Sequence, residues 1–299
     1  MVNEIGFVGL GIMGRPMAKN LIKHGCSLMV NDISLEAVKE LTREGAQAGT
    51  LSEIGASCEI VFISLPNGKI VQEVLFNEKA LSSSLKPGSL VIDTSSVTPD
   101  DAHTCENRLK EKGVSFIDAP VSGGEPKAID GTLAIMAGGK PEDFDRALPY
   151  FKMIGGSATL IGECGSGSIA KLANQIIVNL NIAAVSEALV LAAKAGADPR
   201  KVFEAIRGGL AGSAVLDAKA PMMMDRNFKP GGKISINLKD IKNVTKTAQE
   251  IDVPLPFTSL LLEVMLALKV SGHLEEDHSA IVKFFEGLAN VQLGKQSES

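Results

Sequence analysis

Gly9-Leu10-Gly11-Ile12-Met13-Gly14 follows directly on the apolar run Ile5-Gly6-Phe7-Val8 and opens a helical pattern. The glycine spacing is G-x-G-x-x-G, in which the glycines permit a tight turn, a close approach of the backbone to a pyrophosphate, and packing of a helix on a strand. The start of such a helix offers N–H groups and a partial positive charge to phosphates. A glycine-rich turn without a ligand has the same spacing, but the flanking strand and helix favour a dinucleotide site formed by all six residues.

An acidic residue, Asp32, ends the next apolar run about twenty residues further on, after Asn31. A carboxylate at this position accepts hydrogen bonds from the adenine ribose and repels the 2′-phosphate of NADP. Ile33 and Ser34 follow, so no arginine is at hand to hold that phosphate. The sequence therefore predicts NAD as the cofactor, contacted by Asn31 and Asp32, with NADP as the less favoured alternative. An ordinary turn residue at a strand end is the other interpretation of Asp32.

Outward from this motif, strand-like apolar runs alternate with helical patterns through the first half of the chain. The predicted strands are 4–8, 27–31, 60–64, 90–93, 115–119 and 133–137, and the predicted helices are 14–23, 35–44, 70–75, 99–112 and 141–148. Such alternation is typical of an α/β fold with a parallel sheet covered by helices. In these doubly wound sheets of the Rossmann type, ligands bind at the carboxyl ends of the strands.

The character of the sequence changes after Gly162. A long apolar helix is followed by helical patterns alone, with Asp198 as an N-cap and Pro199 at the first helical position of one of them. The segment 227–232 is predicted to be a loop because it combines asparagine, proline and glycine. We predict a dinucleotide-binding domain at 1–163, an interdomain helix at 164–195, and an all-α domain for substrate binding and oligomerisation at 196–294.

Three polar segments follow predicted strands. Leu65-Pro66-Asn67 follows the third and Thr94-Ser95 follows the fourth, where they are predicted to line the cofactor crevice, although ordinary turn chemistry explains them equally well. Ser122-Gly123-Gly124 comes after the fifth strand and offers a hydroxyl and two unobstructed backbone N–H groups, which suit a carboxylate. A glycine-rich turn is the alternative here too.

Lys171 lies about one turn into the long apolar helix, with Asn174 and Gln175 on the same face at i+3 and i+4. Proximity to a helix N-terminus and partial burial both disfavour the ammonium ion, so we expect a lowered pKa suited to acid–base catalysis. A lysine at the helix edge with its charge in water is the alternative. Asn174 and Gln175 are predicted to bind the substrate through their amides.

The other candidate chemistries have little support in the sequence. The four histidines, His24, His103, His273 and His278, lie in predicted helices or turns, away from the strand ends. No group of residues has metal-ligand spacing, and no serine, histidine and aspartate suggest acyl transfer. The metal prediction is therefore none.

Composition limits the partners and the location. The net charge of −5 gives the chain no electrostatic reason to bind nucleic acid or anionic membranes. Four widely spaced cysteines suggest reduced thiols, and we find neither a signal peptide nor an apolar run of about 20 residues. We therefore expect a cytoplasmic protein whose partners are a small carboxylate substrate and further copies of itself, as a homodimer or homotetramer.

The chain resembles the β-hydroxyacid dehydrogenases, also called the 3-hydroxyisobutyrate dehydrogenase family, over essentially its whole length. The motifs that carry the resemblance are 9–14, 118–124, 167–175 and 238–240. The resemblance implies that Lys171 is the catalytic acid and base, that Ser122, Gly123 and Asn174 contact the substrate, and that Lys239 lies near the cofactor or substrate. Phe228 is also predicted to contact the cofactor. Many relatives have asparagine in place of Gln175, and some have a basic residue in place of Ile33.

Within this family, the stretches 124–133 and 206–231 resemble the branch of tartronate semialdehyde reductases. That resemblance implies reduction of tartronate semialdehyde to D-glycerate with NADH. Two alternatives stay open. One is a sibling activity, such as 3-hydroxyisobutyrate dehydrogenase or another dehydrogenase of short hydroxyacids or semialdehydes. The other is a dinucleotide sensor without catalytic activity that has kept the fold.

Overall fold

The computed structural model describes residues 4–78 and 80–294 and divides the chain into two compact units, up to Lys171 and from Leu172 onward. The first unit alternates strands and helices, as follows: β1 (Ile5–Val8), α1 (Gly14–Lys23), β2 (Leu28–Asn31), α2 (Leu35–Arg43), β3 (Gln47–Ala48), α3 (Leu51–Ser57), β4 (Ile60–Ile63), α4 (Gly68–Phe76), a 3₁₀ helix (Leu81–Ser83), β5 (Leu90–Asp93), α5 (Pro99–Lys110), β6 (Ser115–Asp118), β7 (Val121–Ser122), α6 (Gly124–Asp130), β8 (Leu133–Gly138), α7 (Pro141–Ile154) and β9 (Gly155–Gly162).

The strands form one sheet in the order β3-β2-β1-β4-β5-β6-β8-β7, and β9 also pairs with β8. The strands from β3 to β6 are parallel, so the carboxyl ends of β1, β2, β4, β5 and β6 lie at one edge. β8 runs antiparallel to β6 and β7, whereas β9 is parallel to β8. The prediction of an N-terminal α/β fold with a parallel sheet is confirmed.

Both faces of the sheet are buried. On β4, Ile60 and Phe62 belong to one apolar cluster, and Val61 and Ile63 belong to the cluster on the opposite face, because successive side chains of a strand point in opposite directions. Phe62 stacks on Phe7 of β1 with ring centroids 5.7 Å apart. Burial on both faces explains why these strands are continuous apolar runs in the sequence.

The second unit is helical. α8 (Ser166–Lys194) enters it from the first unit, and the helices that follow are α9 (Pro199–Ile206), α10 (Ala214–Met224), α11 (Ile234–Glu250), α12 (Pro256–Val270), a 3₁₀ helix (His278–Ile281) and α13 (Val282–Ala289). The predicted cap is confirmed, since Asp198 accepts a hydrogen bond from the N–H of Arg200 and Pro199 begins α9. Residues 227–232 form the predicted loop.

By length and composition, α8 is the one helix in the described part of the chain that could cross a membrane. Core helices pass the same test, and Ile182 and Leu189 of α8 belong to the apolar core of the second unit. Asn179 and Ser186 are buried as well, and their side chains donate to carbonyl groups of α8 itself, at 2.9 and 2.7 Å. One face of α8 over this stretch is therefore packed against the apolar core of the second unit.

Several elements differ from the sequence prediction. The short strands β3 and β7, the strand β9 and the helices α3 and α6 were not predicted. α7 continues through Pro149 to Ile154, although the prediction ended it at residue 148, before the proline. β9 alternates exposed and half-buried residues and begins with Gly155-Gly156, so it lacks the apolar run that identified the central strands.

Candidate active site

The glycine motif forms the turn between β1 and α1. Gly9 has a positive φ of 94°, and a side chain there would collide with the carbonyl oxygen of Ser64. A side chain on Gly14 would collide with the carbonyl oxygen of Gly9, whereas Gly11 has open space around it. These are the geometries expected for a tight turn, for close packing of helix on strand, and for a backbone that a pyrophosphate can approach. The motif therefore fits a dinucleotide.

Asp32 holds this turn from the end of β2. Its Oδ2 accepts a hydrogen bond of 2.5 Å from the N–H of Leu10, and its Oδ1 accepts one of 2.7 Å from the N–H of Ser34. The side chain of Ile33 is fully exposed. Asn31 donates from Nδ2 to the carbonyl oxygen of Gly49 at 2.7 Å. The carboxylate thus lies beside the glycine turn, which is where a ribose-binding acid is needed.

The ends of β4 and β5 are joined by hydrogen bonds. The N–H of Leu65 donates to Ser95 Oγ at 2.8 Å, and Thr94 Oγ1 donates to the carbonyl oxygen of Ile63 at 2.9 Å. Asn67 caps α4, since its Oδ1 accepts from the N–H of Ile70 at 3.0 Å. These contacts are the turn chemistry considered above. Cofactor contacts for these residues, and for the exposed Pro66, stay predictions.

The Ser122 segment is a loop with two glycines at positive φ, and it precedes a short helix. Ser122 ends β7, Gly123 has φ 135° and Gly124 has φ 69°, conformations that residues with a side chain rarely adopt. A side chain on Gly123 would collide with the side chain of Lys127. Glycine is therefore required at position 123 and favoured at position 124, and the loop carries a hydroxyl and backbone N–H groups close together.

Lys171 lies at this loop. Its Nζ donates a hydrogen bond of 2.9 Å to the carbonyl oxygen of Val121, the residue before Ser122. The two residues are 50 positions apart in the chain, so the fold alone brings the predicted proton donor to the predicted carboxylate-binding loop. An ammonium group beside a hydroxyl and glycine N–H groups can hold a carboxylate and exchange a proton with a neighbouring oxygen.

The start of α8, which carries Lys171, is fixed by Asp118 at the end of β6. Asp118 Oδ1 accepts from the N–H of Gly165 at 2.8 Å and Oδ2 accepts from the N–H of Ser168 at 2.6 Å. Gly167 packs so closely on β6 and β8 that a side chain would collide with the carbonyl oxygens of Asp118 and Met136. The N-terminus of α8 is thus held against the buried carboxylate of Asp118 by the segment Gly165-Ser166-Gly167-Ser168.

Burial raises the pKa of Asp118 to about 6, although hydrogen bonds from Gly165 and Ser168 act in the opposite direction. Because an aspartate in the unfolded chain has a pKa of about 3.9, Asp118 stabilises the fold fully below about pH 4, and this stabilisation is lost as the pH rises through about 6.

The unfolding free energy of the native chain should therefore fall by about 2–3 kcal/mol between pH 4 and pH 7 on account of Asp118. This part of the fall should be absent in Asp118→Asn, as measured by urea unfolding at both pH values. The exposed Asp130→Asn is the matched control, and an unchanged pH profile in Asp118→Asn would contradict the assignment.

In the second unit, a polar network contains the remaining predicted amides. Asn174 Nδ2 donates to Gln175 Oε1 at 2.9 Å, and Gln175 Nε2 donates to Asp240 Oδ2 at 2.6 Å and to Asn237 Oδ1 at 3.4 Å. Lys239 Nζ forms an ion pair of 2.8 Å with Asp240 Oδ1. Gln175, Asn237 and Asp240 are buried. Asp240 therefore joins Gln175 to Lys239, and Gln175 in turn joins Asn174 to this network.

Gln175 links three members of this network, so its loss should affect stability. Gln175→Leu removes the donor to Asp240 and the acceptor for Asn174, which we expect to lower the unfolding free energy by about 1–3 kcal/mol. Urea unfolding followed by circular dichroism measures the change. Gln249→Leu is the control, because Gln249 is an exposed glutamine in the last turn of α11. If Gln175→Leu and the native chain had equal unfolding free energies, the network would contribute little to stability.

Asn237 and Asp240 were not assigned as site residues from the sequence. The available signal was polar residues on the buried face of an amphipathic helix, α11. Phe228 has a different setting, because its ring lies under the cations of Arg226 and Lys283, at 4.9 and 4.6 Å. These contacts are within the second unit, and a cofactor contact for Phe228 stays a prediction.

Comparison with known families matches both units. Residues 4–162 match the family described as the NAD binding domain of 6-phosphogluconate dehydrogenase. Residues 165–285 match the family described as NAD-binding of NADP-dependent 3-hydroxyisobutyrate dehydrogenase.

Individual relatives extend over the whole chain. The 2-hydroxy-3-oxopropionate reductase of Escherichia coli is 40% identical over 290 residues, which cover 97% of this chain and 99% of the relative. The 2-(hydroxymethyl)glutarate dehydrogenase of Eubacterium barkeri is 34% identical and covers 97% of both chains. Among solved structures, a 3-hydroxyisobutyrate dehydrogenase from Salmonella typhimurium superposes with a TM-score of 0.86 at 30% identity, covering 95% of this chain and 100% of that one.

Proposed function

Because the chain belongs to the 3-hydroxyisobutyrate dehydrogenase family and is an NAD(P)-dependent oxidoreductase, we propose that it reduces tartronate semialdehyde (2-hydroxy-3-oxopropanoate) to D-glycerate with NADH. The observation that carries the catalytic part is the hydrogen bond from Lys171 to Val121 beside Ser122. The substrate is favoured by the 40% identity to a reductase of that compound. Preference for NADH rests on Asp32 and on the apolar residue after it.

The residues of the glycine turn fit the cofactor, which supplies the hydride when bound. Gly11 and the N-terminus of α1 would hold the pyrophosphate, because Gly11 has open space around it and the first N–H groups of a helix favour an anion. Asp32 would accept hydrogen bonds from the adenine ribose. The Ser122 loop and Lys171 are proposed to bind the substrate and to supply the proton.

In the proposed reaction, Ser122 Oγ and the N–H groups of Gly123 and Gly124 bind the carboxylate of the substrate. Lys171, as the ammonium ion, donates its proton to the aldehyde oxygen while the aldehyde carbon receives the hydride, so that one hydride and one proton give the alcohol. In the reverse direction neutral Lys171 accepts the proton. Holding the reacting atoms together is itself a large part of the rate enhancement. Asn174, one helical turn after Lys171, is proposed to add an amide contact to the substrate.

Sibling substrates are the main competing possibility, since a relative 34% identical to this chain bears the name of a different dehydrogenase. The test compares initial rates of NADH oxidation with tartronate, methylmalonate and succinate semialdehydes, each repeated with NADPH. The proposal expects the highest kcat/KM with tartronate semialdehyde and NADH. A higher kcat/KM with either of the other two would refute the substrate, while the acid–base assignment of Lys171 would stand.

We also propose that the chain associates with further copies of itself. Large apolar side chains are exposed on the second unit, among them Leu191 of α8, Phe257, Leu260 and Val270 of α12, and Leu288 of α13. Burial between subunits is the simplest way to remove such surface from water. Light scattering coupled to size exclusion should give a dimer or a tetramer at micromolar concentration, and a monomer would contradict this proposal.

The cytoplasm is the proposed location, supported by cysteines that form no disulfide in the described structure. Fractionation of the source cells tests it, and recovery outside the cytoplasmic fraction would refute it.

A further inference from the structure

Three side chains of metal-binding type meet on the first unit, away from the residues assigned to the reaction. His103 and Glu106 are one turn apart on α5, and Cys164 lies between β9 and α8. One ligand atom from each, a ring nitrogen, a carboxylate oxygen and the thiol sulfur, lies within 4.8 Å of the other two. The sequence did not predict this group, because Cys164 is far along the chain from His103 and Glu106 and the three do not have the short spacing of a metal motif.

We propose that His103, Glu106 and Cys164 bind one Zn²⁺ ion. Sulfur, imidazole nitrogen and a carboxylate oxygen together are ligands that zinc prefers, whereas Mg²⁺ and Ca²⁺ prefer oxygen alone. Ligands around tetrahedral zinc are about 3.3–3.8 Å apart, as follows from bond lengths of about 2.0–2.3 Å. The three side chains therefore need to move only slightly to close around the ion.

The electrostatics of the group favour a cation. The carboxyl groups of Glu106 and Asp118 lie near the Cys164 sulfur. Negative charge close to the group attracts a divalent ion. On binding, Zn²⁺ would replace the proton of the thiol, and that proton would be released to solvent. The two positive charges of the ion are then balanced by one thiolate and one carboxylate.

The site is open on one side. His103 is exposed, Glu106 is half-buried and Cys164 is buried, so an ion can enter from solvent and reach the sulfur. Gly165, with φ 87°, leaves room for the imidazole, because a side chain there would come within 2.8 Å of His103 Nε2. Three protein ligands leave a fourth position for water.

A metal here would join α5 to the start of α8. Cys164 directly precedes Gly165, whose N–H is held by Asp118. The ion would therefore restrain the same helix start that presents Lys171. We expect it to stabilise the first unit without taking part in the hydride transfer.

The experiment uses the full-length chain without an affinity tag, treated with EDTA and then dialysed. Zn²⁺ titrated calorimetrically should bind with a stoichiometry of one per chain. Co²⁺ should give the intense near-ultraviolet absorption of a thiolate–cobalt bond, which a site lacking sulfur does not produce. Binding of Zn²⁺ should weaken by at least about tenfold in Cys164→Ser and in His103→Ala.

Cys26→Ser is the matched control, because Cys26 is a half-buried thiol whose sulfur contacts Met153 instead. It should keep both the Zn²⁺ affinity and the Co²⁺ absorption. Since His103 is exposed, His103→Ala should fold even if Cys164→Ser does not. Absence of saturable binding to the native chain, or equal affinity in the native chain and His103→Ala, would overturn the proposal.

Discussion

Replacement of Lys171 by alanine should lower kcat for semialdehyde reduction by roughly 10³-fold or more, since loss of a positioned general acid costs about 10²–10⁴. The Nζ of Lys171 contacts the loop that contains Ser122, and alanine removes the only proposed proton donor there. NADH binding should persist, because the glycine turn and Asp32 lie on other elements. Steady-state rates and fluorescence titration with NADH separate the two effects.

Lys194→Ala is the matched control, an exposed lysine at the other end of the same helix. It should retain full activity. If Lys171→Ala kept more than about a tenth of the native kcat, Lys171 would not be the acid. Loss of NADH binding along with the activity would instead point to a structural role for Lys171.

Replacement of Asp32 by asparagine should change the cofactor preference. The amide cannot accept hydrogen bonds from both Leu10 and Ser34, and it no longer repels a 2′-phosphate. Charge-assisted hydrogen bonds contribute about 1.5–3 kcal/mol, so we expect the ratio of kcat/KM for NADH to that for NADPH to fall by about 10–100-fold. Most of the change should lie in the two KM values, because Asp32 is distant in sequence and structure from the Ser122 loop, which lies beyond β6.

Glu36→Gln, an exposed acid in the first turn of α2, removes the same charge close by and should leave the ratio nearly unchanged. A ratio in Asp32→Asn within twofold of the native value would identify Asp32 as an ordinary turn residue. NADP use would then depend on other residues.

The central sheet could be predicted because its strands are buried on both faces and are therefore apolar throughout. β9 could not, because it is held by pairing with β8 rather than by an apolar pattern of its own. β7 has two residues, and α6 has seven and lies between glycines that suggested only a turn. The prediction ended α7 before Pro149, because a proline inside a helix lacks the N–H that the helix hydrogen bond needs.

The candidate motifs could be selected from the sequence, because glycines and a lysine in apolar surroundings are unusual. What the sequence did not contain was long-range proximity. The contact of Lys171 with Val121, the clamp of Asp118 on Gly165 and Ser168, and the link from Gln175 to Asp240 all join distant segments. The grouping of His103 with Cys164 has the same origin.

The central claim is that the Ser122 loop and Lys171 together form the substrate site. The most direct measurement is a crystal structure of the full-length chain with NADH and D-glycerate, a pair that cannot react because both are in the reduced form. We predict the glycerate carboxylate on Ser122 Oγ and the Gly123 and Gly124 N–H groups, with its terminal hydroxyl hydrogen-bonded to Lys171 Nζ. Glycerate bound elsewhere, with Lys171 Nζ still on the carbonyl oxygen of Val121, would contradict the account.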